Sequence, residues 1–120
     1  MTQLKTKNEK LEYTNDEKKK LVLEINTGDA EKVSEWFKVI EVSKKELSGS
    51  DYVGAKEVCR KIIISVLDEK TFTKIVKFCN NNLSCILAIM LDVIEKIASA
   101  QYAYADAINA RAEVLKKIGK

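Results

Sequence analysis

Residues Leu83 to Ile97 read LSCILAIMLDVIEKI, and the rest of the chain has to accommodate this stretch. Its polar members are Ser84, Asp92, Glu95 and Lys96. At helical pitch they gather on about a third of the circumference. A helix apolar around most of its surface must be buried on several sides. Membrane insertion needs about 20 apolar residues, and this run is shorter and interrupted by Asp92 and Glu95. It is expected to be the central helix of a small domain. Leu87, Met90, Leu91 and Ile94 are expected in the core, against Trp36, Phe37 or Ile63.

The pattern continues past Ile97 to Ile118 without Pro or Gly. Unbroken, it would measure roughly 54 Å. A compact domain of this length is only about 35 Å across. Either the helix bends near Ser99-Ala100, or residues 99–120 project. The large residues of this half are Tyr102, Tyr104, Ile108, Leu115 and Ile118. The last four repeat at four, seven and three, a narrow seam suited to one partner helix. These five are the candidate partner-binding residues. The competing expectation is that they pack back on the helix beginning at Ala30.

Upstream, Asn80-Asn81-Asn82 can end one helix in a left-handed conformation and cap the next. Phe72 to Cys79 reads as a short helix, with Asp68 to Thr71 as a connection. Tyr52 to Leu67 places Ala55, Cys59, Ile62, Ile63, Val66 and Leu67 inward. Ala30 to about Leu47 places Val33, Trp36, Phe37 and Ile40 on one face. Asp29 and Asp51 are the expected N-caps. Lys19 to Asn26 alternates with period 2, as do Leu11 and Tyr13, and Thr14-Asn15-Asp16 suits a turn. A β-hairpin from about Lys10 to Asn26 is the first reading, and a helix capped by Asp16 the alternative. Residues 1–8 are polar and expected to fray. The fold class is therefore mainly α: a single small domain of about four helices, with a short N-terminal hairpin and a long C-terminal helix.

Chemistry is sparse. The chain has 120 residues, a net charge of +3 and no His. Mixed charge of this size argues against a dedicated nucleic-acid binder, although Lys18-Lys19-Lys20 is a positive cluster. That run reads better as the solvent edge of a strand. Asp92, Glu95, Asp106 and Glu113 are interleaved with Lys96 and Arg111, as on a solvated face. Cys59, Cys79 and Cys85 are odd in number and irregular in spacing, so reduced core thiols are expected. A nucleophilic Cys would want a base, and Lys56 and Arg60 are all Cys59 has nearby in sequence. No Gly-rich phosphate loop exists. No enzyme activity, cofactor or metal is expected. Met1 to Lys20 lacks the apolar segment of a signal peptide, which together with reduced thiols leads to a cytoplasmic expectation.

One order of features is shared with a known family. A short alternating segment (KKLVLEI) leads into Asn26-Thr27-Gly28-Asp29 and an amphipathic helix carrying Trp36-Phe37. A two-helix middle follows, then Asn81-Asn82-Leu83-Ser84-Cys85-Ile86-Leu87-Ala88-Ile89-Met90 and a charged tail. This resembles the small tail assembly chaperones of phages and prophages of Gram-positive bacteria, over roughly residues 19 to 118. Where many members carry a Phe-Gly pair before the Leu-rich helix, this chain has Lys77-Phe78-Cys79. The resemblance implies a non-enzymatic protein that binds the helical tape measure protein in the host cytoplasm. The rival expectations are a generic helical adaptor or self-associating bundle, and, third, a small nucleic-acid binder.

Overall fold

The computed structural model describes residues 9–49 and 51–118. The expectation for residues 1–8 lies outside them. Two strands come first, β1 (Glu9–Thr14) and β2 (Lys20–Ile25), then α1 (Ala30–Leu47), α2 (Tyr52–Val66), α3 (Glu69–Phe78) and α4 (Leu83–Ile118). The hairpin, rather than a helix, forms over the alternating segment. β1 and β2 pair antiparallel, with Leu11 opposite Leu23 and Tyr13 opposite Leu21. Period 2 puts Leu11, Tyr13, Leu21, Leu23 and Ile25 on one face, and Leu21, Leu23 and Ile25 are buried there. Asn15 closes the turn: its side-chain oxygen accepts from the backbone N–H of Glu17 and Lys19. Lys18 takes a positive φ of 61° in that turn, and Lys20 opens β2 on its exposed side.

Each helix starts where a side chain satisfies its free N–H groups. Asp29 accepts from Lys32, Asp51 from Gly54, and Asp68 from Thr71. Asp68 is thus a cap, and α3 begins at Glu69, three residues before its first large apolar side chain. The segment expected to be a connection is a cap and a first turn. Its polar residues hid a helix start because the inward face only resumes at Phe72. Hydrogen bonds to Thr71, side chain and backbone, hold the Asp68 carboxyl below the usual carboxylate range. Asn80 and Asn81 both adopt positive φ, and Asn82 accepts from the N–H of Cys85 at the start of α4.

The core lies between the hairpin and the four helices. Val33 and Ile40 of α1, Val58, Cys59, Ile62 and Ile63 of α2, Phe72 and Ile75 of α3, and Ile86, Ile89, Met90, Val93 and Ile97 of α4 fill it. Trp36 and Phe37 pack at its edge. Met90 is buried as expected, and Leu87 and Ile94 are partly so. Leu91 is not: it is 56% exposed. Ser84, Ala88, Leu91 and Glu95 recur at four, three and four, and all are exposed. Leu91 therefore sits on the outer stripe of α4, and Asp92 turns in toward the hairpin instead. The Tyr13 hydroxyl donates to the Asp92 carboxylate across 2.6 Å, tying β1 to α4.

The thiols also differ from expectation. Cys79 and Cys85 form a disulfide, and Cys59 alone is free and buried. The two left-handed asparagines reverse the chain so sharply that the end of α3 and the first turn of α4 meet at a Cα–Cα distance of 5.6 Å. That is within disulfide span. An odd cysteine count conceals such a pair. With it goes the inference of a reducing compartment drawn from three free thiols.

Candidate functional site

α4 does not bend. It is one helix of 36 residues, and the molecule measures 60 × 37 × 19 Å. The radius of gyration is 17.3 Å, larger than the roughly 14 Å of a compact chain of this length. Alignment of the helix length, about 54 Å, with the long axis explains the excess. The first half of α4 is inside the domain and the second half leaves it.

The anchored part ends at Tyr104. Its hydroxyl donates to the carbonyl of Thr27, and its ring packs partly against the core. Tyr102 lies across the helix from it, 62% exposed, with its ring edge-on to Phe37 at 6.0 Å. Of the five candidate residues, these two touch the body, Tyr102 at Phe37 of α1 and Tyr104 at Thr27 before it. The other three do not. Ile108 is 67% exposed, Leu115 67% and Ile118 73%. Val114, 56% exposed, belongs with them and was missed because it falls outside the four-seven-three repeat.

The geometry of this overhang follows from the helix period. Ile86, Met90, Val93 and Ile97 form the buried stripe, at spacings of four, three and four. Ala100 and Tyr104 continue it, then Ile108, Arg111, Leu115 and Ile118. The exposed seam is thus the core-facing stripe carried beyond the core. Asp106, Asn109, Glu113 and Lys116 occupy the opposite side. A helix end with a wet side and an apolar side, unpaired by any of the described residues over about four turns, is an incomplete helix–helix contact. The only polar member of the seam is Arg111, whose guanidinium donates within the helix to the carbonyl of Ala107.

A groove of about 520 Å³ runs between the hairpin and α4, lined by Glu9, Leu11, Asp92, Lys96, Ser99 and Tyr104. It holds a Lys96–Glu9 ion pair at 3.8 Å. Burial pushes the Cys59 thiol up to about 11, which suits a packed side chain better than a reactive one. Among the described residues, no three metal-ligating side chains come together, and no helix is long and apolar enough to cross a membrane.

No protein-family model, curated protein or solved structure matches this chain.

Proposed function

We propose that this is a non-enzymatic helix-binding protein, in which the overhang of α4 lies against an apolar helical segment of a protein partner. The observation that carries the reading is that the buried stripe of α4 runs on, exposed, through Ile108, Leu115 and Ile118. Isolated apolar side chains on a surface are ordinary, but a stripe at helical spacing on an unpaired helix is not. Burying it recovers about 25 cal/mol per Å² of apolar area, so a few hundred Å² supports a reversible complex after the entropy of association. Reversibility suits a chaperone, which must release its client.

In its finer form, the protein is a phage or prophage tail assembly chaperone acting in the host cytoplasm, and the partner is the tape measure protein. The support for this form is the resemblance described above, together with the chemistry such a client presents: a long helical chain whose apolar stripes need cover before assembly.

The test replaces Ile108 and Leu115 together by Ser. The double variant should melt like the native protein by circular dichroism, since neither side chain is buried. It should lose affinity for a fragment of a candidate tape measure protein encoded beside it. A variant that melts much earlier would assign these residues to the protein's own core and sink the reading. Unchanged affinity would move the contact elsewhere.

A further inference from the structure

The overhang carries a charge in the middle of its apolar seam, and that charge says what kind of helix can cover it. Arg111 lies between Ile108 and Leu115 on the same stripe. Among the described residues no carboxylate pairs with it, and its only hydrogen bond is to its own helix. This contrasts with Arg60, which meets Glu57 and Glu69 at 3.4 and 2.8 Å.

Resting on the reading that the seam binds a helix, we propose that Arg111 selects the partner: an amphipathic helix with an Asp or Glu inside its apolar stripe, in preference to a second copy of this chain. Two copies meeting through this seam are related by a two-fold axis. In parallel pairing, Arg111 shares a layer with its own copy. In antiparallel pairing, Ile108 meets Leu115, Tyr104 meets Ile118, and Arg111 again faces Arg111. Either way, two guanidinium groups are brought together while their surroundings are desolvated. A charged residue at one core position of a helix pair sets partner choice at some cost in stability. A carboxylate across from Arg111 turns that cost into a bidentate, charge-assisted contact.

Two measurements on the full chain test this. The first is mass in solution by light scattering. The native chain should be monomeric. Arg111→Leu should associate at concentrations where the native chain stays monomeric, and adding the Ile108→Ser and Leu115→Ser changes should reverse that. A native chain that is already dimeric through the seam overturns the selection by Arg111 but leaves the seam as a helix-binding surface. An Arg111→Leu chain that stays monomeric shows instead that the seam is not adhesive, and the binding reading itself fails. The second measurement uses two synthetic amphipathic helical peptides, identical except for Glu or Lys at the centre of the apolar stripe, read by fluorescence anisotropy. The Glu peptide should bind about five-fold more tightly, as expected for one half-exposed charge pair. Arg111→Glu should reverse the preference, and added salt should narrow it. Equal binding of the two peptides, or a preference that survives Arg111→Glu, would overturn the proposal.

Discussion

The Tyr104 hydroxyl donates to the Thr27 carbonyl, and among the described residues no hydrogen bond or ion pair beyond Tyr104 joins α4 to the body of the domain. This contact marks where a core helix becomes a projecting one. Thr27 lies in the short link between the hairpin and α1, so one hydrogen bond ties the exit of α4 to the entry of α1. Amide protection should follow it. Hydrogen exchange is expected to be slow through Ile97 and fast from Ala105 onward, because a helix with no packed face opens locally. Tyr104→Phe should cost about 1 kcal/mol and carry fast exchange roughly one turn further back. Strong protection beyond Arg111 in the isolated chain would contradict a free overhang.

Two neighbouring residues of α4 should behave oppositely. Met90 is 1% exposed and Leu91 is 56% exposed. Met90→Ala should cost about 2 to 5 kcal/mol, since it removes packed volume from a close-packed core. Leu91→Ala should fall within about 0.5 kcal/mol of the native protein. Denaturant melts of the two variants check this, and equal losses would mean that the helix is rotated relative to the structure.

Thiol counting tests the cysteines. The native, unreduced protein should react negligibly with a small thiol reagent, because its one free thiol, Cys59, is buried and raised. Denaturation without reductant should release one thiol, and reduction should release three. Reduction should also lower stability by about 2 kcal/mol, the chain-entropy value for so short a loop. Three thiols in the unreduced, denatured protein would exclude the Cys79–Cys85 bond.

Alkaline pH should loosen the hairpin. Burial, and then the hydrogen bond and charge of Asp92, hold the ionisation of Tyr13 well above the usual phenol range. The folded state therefore favours the neutral phenol. That contribution is complete below the unfolded tyrosine value of about 10 and is lost as pH rises beyond it toward the folded one. Tyr13→Phe should cost about 1 kcal/mol at neutral pH, and the gap between native and variant should shrink above pH 10. Absorbance titration should show Tyr13 ionising above the usual phenol range. A gap that stays constant to high pH would show that the phenol and Asp92 are not coupled.

Local chemistry was legible in the sequence wherever a single element settles it. Period 2 at Leu21, Leu23 and Ile25 marked a strand, and Asp29, Asp51 and the asparagines before Leu83 marked helix starts, because caps and pleats involve residues a few positions apart. The length of the apolar pattern after Leu83 already required a bend or a projection, since a helix has a fixed rise per residue. Tertiary structure decided the rest. Leu91 and Asp92 are adjacent in a nearly all-round apolar helix, so which one faces out depends on where the hairpin docks. Cys79 and Cys85 pair because two left-handed asparagines bring one helix end onto the next start. Tyr104 is anchored while Ile108, one turn on, is free, although both obey the same spacing. Periodicity specifies a face, but burial of that face requires another element to reach it, and past Tyr104 none of the described elements does.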